Sequence, residues 1–191
     1  MNKKFWVKKF TGLSSIFINI LSLLPLGLRK TIFNTGRNLP TIFGLYWRYI
    51  SFKSISFESG ENIYIAQNIY MKNIENIILG SNVSIHEMCY LDGYGGIKIG
   101  DNVSIAHSTS LISFDHTYDD TIIPIKYNLS IKKIIIVHND IWIGAGVRIL
   151  GGNTIHKRSI IAAGSVITKD VESYSIYGGI PAKKIKNIEG K

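Results

Sequence analysis

Five histidines, one cysteine and a scatter of carboxylates are the groups in this chain that could move protons or act as nucleophiles. One of them, His116, sits in the polar run SFDHTYDD, Ser113 to Asp120. An imidazole titrates near neutrality, which suits it to take the proton of a hydroxyl, a poor nucleophile until that proton leaves. A base works best when its other ring nitrogen is held, and Asp115, Asp92 or a main-chain carbonyl could hold it. The sequence leaves those three open. His138 and His156 directly follow aliphatic positions of a repeat and read as exposed corner residues, while His86 and His107 lie beside similar positions. Cys89 is the alternative nucleophile, but nothing near it in sequence would depress its pKa, so it reads as a buried structural cysteine. It has no CxxC or CxxH neighbour, and no metal site is expected.

The elements that must position these groups announce themselves as a short repeat. Counting back from Ile167, an aliphatic residue falls on every sixth position, at Ile161, Ile155, Ile149, Ile143 and Val137. The same spacing recurs upstream in three registers: Ile99, Ile105, Leu111; Leu79, Ile85, Leu91; and Ile65, Met71. A period of six is neither the 3.6 of a helix nor the alternation of an ordinary strand. A coil of short strands explains it, with three hexads to a triangular turn and one inward aliphatic per hexad stacking on those above and below. Three positions after the inward residue stand Asn68, Asn82, Asn102, Asp140, Gly146, Gly152 and Gly164, the residue types that enter positive φ cheaply. Met88, Ser108 and Arg158 break that rule, which predicts differently shaped corners there. A β-sandwich would show period-two alternation and turn spacings nearer ten, so the parallel coil is the fold read here.

Two interruptions and two ends complete the organisation. Between Leu111 and Val137 lies one hexad plus an excursion over residues 112–131 that carries His116, and long loops in compact domains are usually functional. A smaller insertion before Ile99 contains Asp92, Gly93, Tyr94, Gly95 and Gly96 and is placed to face the large one. Residues 1–58 form an apolar and basic helical segment, 59–171 the coil, and 172–191 a C-terminal extension in which Pro181 followed by AKKIK predicts a short basic helix. Residues 13–28 are too short, and interrupted by Pro25, to span a bilayer. They read either as a helix capping the open end of the coil or as a peripheral contact with an anionic membrane face.

Over 191 residues, 46% hydrophobic and 18% charged residues exclude a disordered chain, and a single cysteine fits a reducing, cytoplasmic compartment. The net charge of +9 favours polyanionic partners. About half of the basic residues expected to be exposed gather at the ends, at Lys3, Lys4, Lys8, Lys9, Arg29 and Lys30 and again at Lys169, Lys183, Lys184 and Lys186, without the aromatic interleaving of a nucleic-acid surface. No nucleic-acid partner is expected.

From Asp140 onward, DIWIGAGVRILGGNTIHKRSIIAAGSVITKDV followed by GGIPAKKIK closely resembles the hexapeptide-repeat acetyltransferases, in the branch of the maltose, galactoside and colanic-acid O-acetyltransferases. The most specific pieces are Trp142 to Val147, Ala162 to Asp170 and Gly178 to Lys186. Asn153, His156 and Ile180 depart from the family's usual aliphatic, glycine and asparagine. The resemblance implies a left-handed parallel β-helix, a homotrimer with active sites between neighbouring coils, acetyl-CoA as acyl donor and His116 at the position of the catalytic histidine. It also implies acceptor contacts at Asp92, and Asp115 is expected beside them. Coenzyme A needs a flat wall and cations, so Ala145, Ala162 and Ala163 are expected along the pantetheine arm, and Thr168, Lys169, Lys183 and Lys184 at the phosphates. Backbone beside Gly144 or Ala145 would donate to the oxyanion. Trp142 would border the thioester or pack between subunits. The function so implied is O-acetylation of a sugar, and the basic, apolar N-terminus extends the expected acceptors to envelope polysaccharide precursors and the expected cytoplasmic location to the inner face of the membrane. N-acetylation of an amino sugar nucleotide and a non-catalytic structural solenoid are the competing readings.

Overall fold

Every aliphatic of the six-residue column is buried in the computed structural model, which describes residues 11–56 and 58–189. Lys3, Lys4, Lys8 and Lys9 lie outside the described residues. The column is the axis of a β-solenoid of about 6 turns whose short strands form three faces. The first face holds seven strands, Tyr64–Ile65, Ser84–Ile85, Val103–Ile105, Ile141–Ile143, Ile160–Ile161, Ser175–Gly179 and Ala182–Asn187. The second holds Tyr70–Lys72, Tyr90–Asp92, Ser110–Ile112, Arg148–Leu150 and Val166–Ile167, and the third Ile77–Leu79, Ile97–Ile99, Ile135–Val137 and Thr154–Ile155. All pairings within the faces are parallel except the last of the first face.

Each hexad buries two residues, not the single inward aliphatic expected. The second lies two positions before the first and forms its own column: Ile63, Ile69, Ile77, Val83, Cys89, Ile97, Val103, Thr109, Ile135, Ile141, Val147, Asn153, Ser159 and Ser165. Alternation along a strand explains this, since residues two apart share a face. The polar members are satisfied by turn carbonyls, as when Ser159 Oγ donates to His156 O at 2.6 Å and Asn153 Nδ2 to Leu150 O at 2.7 Å. Each fully buried aliphatic contributes about 2 kcal/mol of apolar transfer.

The corners are more uniform than their sequences. Met88, Ser108 and Arg158 adopt positive φ like the Asn, Asp and Gly corners, at 60°, 60° and 58°. The expectation of differently shaped corners is therefore corrected: hydrogen bonds from the coils on either side impose one corner geometry whatever the residue type. Along one edge the asparagines themselves form a ladder, Asn62 to Asn82 at 2.8 Å and Asn82 to Asn102 at 3.1 Å.

Among the described residues three helices precede the coil, α1 (Thr11–Ser22), α2 (Leu26–Thr35) and α3 (Thr41–Ile55). The apolar run 13–28 is split at Pro25, the N-cap of α2. The closure of the coil comes from further along: α3 lies against the first strand, burying Tyr49, Ile50, Phe52 and Ile55, and α1 and α2 pack on α3. Arg48, buried in α3, ties the layers together by donating to Ile65 O at 2.9 Å and Leu39 O at 2.8 Å.

The C-terminal helix is not formed. After a turn at Ile180 and Pro181, Ala182–Asn187 runs antiparallel to Ser175–Gly179. The exposed edge of the first face offers unpaired main-chain groups, and pairing with them outweighs the helical propensity of AKKIK.

Candidate active site

The excursion opens as a β-hairpin. Phe114–His116 pairs antiparallel with Ser130–Lys132, in a register that sets Ser130 opposite His116 and Lys132 opposite Phe114. His116 is exposed, and its Nδ1 lies 3.4 Å from Ser130 Oγ. The ring meets Phe114 edge-on, with centroids 5.8 Å apart. Asp115 points to the other side of the strand: one oxygen accepts from the main-chain N–H of His116 at 2.9 Å, the other from Lys133 Nζ at 3.2 Å. The Lys133 hydrogen bond holds the Asp115 carboxyl below its ordinary pKa. The imidazole's ring partner is thus Ser130, and Asp115 braces the hairpin base.

Asp92 ends a strand of the second face and is 5% exposed. Its Oδ1 accepts from Asn73 Nδ2 at 2.8 Å and from the Tyr94 N–H at 3.1 Å, and its Oδ2 from Tyr90 OH at 3.4 Å. The small insertion does face the excursion. Gly95 N donates to Ser113 Oγ at 2.8 Å, and Tyr94 meets Phe114 edge-on at 5.7 Å. Gly95 permits that approach, because a Cβ there would stand 2.0 Å from Ser113 O. A chain of contacts therefore links the Asp92 carboxylate through Tyr94 and Phe114 to His116.

The remaining predicted residues occupy other parts of the prism. Trp142, 57% exposed, projects from the first face, and the corner leading from that face to the second carries Gly144, Ala145, Ala162 and Ala163. A Cβ at Gly146 or Gly164 would meet nothing within 4 Å, so this corner presents an open, narrow strip of backbone. Gly144, by contrast, donates to Ile161 O at 2.8 Å and has no room for a Cβ, which would lie 2.6 Å from Ala163 N. Lys183 and Lys184 stand on the closing strand beside this strip, where Gly178, the partner of Lys183, packs on Ala162. Lys184 is paired with Glu172 at 2.6 Å, which holds the Glu172 carboxyl below its usual range. Thr168 and Lys169, both exposed, follow the last strand of the second face, at the corner below the excursion. One chain thus brings His116, Asp92 and Asp115 together at one edge and Trp142, Gly144, Ala145, Ala162, Ala163 and the lysine pair at another.

No family model matches the chain. Over 77 residues it is 38% identical to a probable acetyltransferase of Mycobacterium tuberculosis, covering 40% of this chain and 26% of that protein. Over 67 residues it is 45% identical to a probable macrolide acetyltransferase of Lysinibacillus sphaericus, covering 35% of this chain and 37% of the relative. The matched segments thus span well under two thirds of these relatives' lengths. Solved structures agree over a much larger share. A maltose O-acetyltransferase from Clostridium difficile superposes with a TM-score of 0.76 at 27% identity, covering 86% of both chains. A galactoside acetyltransferase in complex with coenzyme A gives 0.77 at 26% identity, over 90% of this chain and 82% of the other. The neighbours of this chain are hexapeptide-repeat acetyltransferases. An N-acyltransferase from Bacillus cereus, in complex with dTDP-4-amino-4,6-dideoxyglucose and coenzyme A, also matches, at TM-score 0.58 and 25% identity over 72% of this chain and 88% of its own.

Within this solenoid, Cys89 is explained as packing. It is 1% exposed in the second inward column, its Sγ lies 3.2 Å from Ala106 O, and burial pushes its thiol up to about 11. Sequence reasoning missed Asn73, Tyr90, Ser130 and Lys133. Tyr90 carried a usable signal, standing two residues before Asp92 on one short strand, and so did Asn73, at the corner one coil earlier. Ser130 becomes visible only through the hairpin register.

Proposed function

We propose that the protein is an acetyl-CoA-dependent O-acetyltransferase acting on a hydroxyl of a sugar or of a cell-envelope polysaccharide precursor, with His116 as general base. The observation that carries this reading is an exposed imidazole, hydrogen-bonded at Nδ1 by Ser130 and joined by aromatic contacts to a buried, oriented carboxylate at Asp92. If the Ser130 hydroxyl accepts from Nδ1–H, the lone pair is left on Nε2, the tautomer a base requires.

In the reaction the acceptor oxygen attacks the thioester carbonyl while its proton passes to His116. The new C–O bond gives an oxyanion, for which the main-chain N–H of Ala145 is the intended donor, since that of Gly144 is taken by Ile161 O. Collapse breaks the C–S bond, and the imidazolium returns its proton to the departing thiolate of coenzyme A. Asp92 holds the acceptor. Ala145, Ala162 and Ala163 line the pantetheine arm, with Trp142 at the thioester and Thr168, Lys169, Lys183 and Lys184 toward the phosphates. Because base and thioester strip occupy different edges of one coil, the complete site needs a neighbouring subunit, and a homotrimer supplies it. The helical cap bears Ile20, Leu23 and Phe43 exposed, and with the lysines of the first ten residues it supports contact with an anionic membrane at its inner face.

The deciding experiment follows coenzyme A release and a product mass increase of about 42 Da, the mass of an added acetyl group, over hydroxyl-only and amino sugars, for wild type and His116→Ala. A loss of on the order of 10²–10⁴-fold with oligomeric state intact is expected, the usual worth of a general base. Full activity of the variant would sink the assignment. Acetylation confined to amino sugars would transfer it to N-acetylation, the reading favoured by the likeness to the Bacillus cereus enzyme.

A further inference from the structure

One stretch of the second face enters the chemistry described so far only through the hydrogen bond from the Tyr90 hydroxyl to Asp92. Tyr70 and Tyr90, in register on neighbouring strands, stack with centroids 5.5 Å apart and planes 3° from parallel. Three cations attend this stretch, each from a different element. Arg37, in the link between α2 and α3, lies 5.0 Å over the Tyr70 ring. Lys72, on the coil strand, places its Nζ 5.9 Å from both tyrosine rings, and in the ladder it sits directly beside Asp92. Past Asp92, on the excursion hairpin, Lys132 Nζ stands 5.2 Å over the ring of Tyr94, which leads through Phe114 to His116.

The charges along this path are not closed into ion pairs, although Lys72 is held charged by the Tyr90 hydroxyl and, more weakly, by Asp92 beside it. None of Arg37, Lys72 and Lys132 forms an ion pair among the described residues, whereas nearby Lys30 and Lys133 are paired with Glu75 and Asp115. Cations resting on aromatic faces keep their charge available while their stems are ordered, and a line of them raises the local concentration of anions. The helical cap, the coil and the hairpin converge to produce one lane of positive charge and flat rings that ends at the base.

We propose that this lane is a subsite for a negatively charged acceptor, a sugar bearing phosphate or carboxylate groups, which lies along the edges of the stacked Tyr70 and Tyr90 rings while Arg37, Lys72 and Lys132 meet its anionic groups. Which hydroxyl then reacts rests on the acetyl-transfer reading. The binding itself does not.

Calorimetry on the full chain saturated with coenzyme A, so that the donor's own phosphate contacts are filled, would compare glucose 1-phosphate, digalacturonate and neutral maltose. The charged sugars should bind at least about tenfold more tightly, the scale of one charge-assisted contact, and their affinity should fall with added salt. Preference between phosphate and carboxylate identifies which anion the lane takes. The double variant Lys72→Gln, Lys132→Gln should bring both down to the level of maltose and remove the salt dependence, while Lys72→Arg, Lys132→Arg retains them. Equal affinity for charged and neutral sugars, no binding of charged sugars, or a double Gln variant that binds as wild type would each overturn the subsite. Lysine-dependent binding without acetyl transfer would leave the subsite standing and remove the enzymatic reading. Acetyl transfer with no preference for charged acceptors would do the reverse.

Discussion

Met88, Ser108 and Arg158 hold a backbone conformation that non-glycine residues adopt at a cost, and Met88 does so with a side chain 66% exposed and thus little packing in return. Met88→Asn is therefore expected to stabilise the fold by about 1 kcal/mol, the order of the left-handed penalty, and to raise Tm by about 2–4 °C for a domain of this size. Thermal unfolding measured by circular dichroism checks this, and an unchanged or lower Tm would show that the corner carries no such strain. The same residues show how far the sequence was legible. Corner positions could be counted from the aliphatics, and seven carried Asn, Asp or Gly. The other three could not be predicted, because the constraint that shapes them comes from hydrogen bonds to adjacent coils and leaves no mark on residue type. The expectation for His116 rested mainly on the family resemblance, and its place in a polar excursion was the part legible from the residues alone. Its partner Ser130 was not legible, since a cross-strand neighbour depends on where a turn falls.

The excursion hairpin is the element with the least support from its own chain. Its tip carries Tyr118, Ile125 and Tyr127 exposed, with Ile122 at 93% and Leu129 at 79%. Apolar surface on that scale marks a contact surface. Against a neighbouring coil it would also bring His116 toward the strip at Gly144 to Ala145. Ile122→Ser with Leu129→Ser should shift sedimentation from trimer toward monomer and abolish acetyl transfer, with circular dichroism unchanged. Retention of both trimer and activity would refute the role of the tip. Elements with local rules were readable and those decided by remote partners were not. The second buried column was masked because Thr109, Asn153, Ser159 and Ser165 occupy places where aliphatics were sought. AKKIK satisfies helical and extended patterns equally, and only the open sheet edge decides between them.

At the scale of the whole molecule, α3 closes the first coil and leaves α1 free to turn a second apolar side outward. Ile16, Phe17 and Ile20, on a helix without a charged residue, and Leu23 in the turn after it are the members of that side, and no helix among the described residues is long and apolar enough to cross a membrane. Flotation with phosphatidylglycerol-containing vesicles should recover the wild-type protein and lose it on Ile20→Ser with Leu23→Ser, whereas pure phosphatidylcholine vesicles should recover neither. Equal recovery of both proteins, or none with the anionic vesicles, would count against membrane contact. The opposite end of the coil is shut by another device. A stack of identical parallel rungs is in principle endless, since the bottom rung of one copy could template the top rung of the next. By turning Ala182–Asn187 backward, the chain breaks that periodicity on its longest sheet, and with helices over the other end neither end of that sheet offers a further copy an ordinary parallel rung.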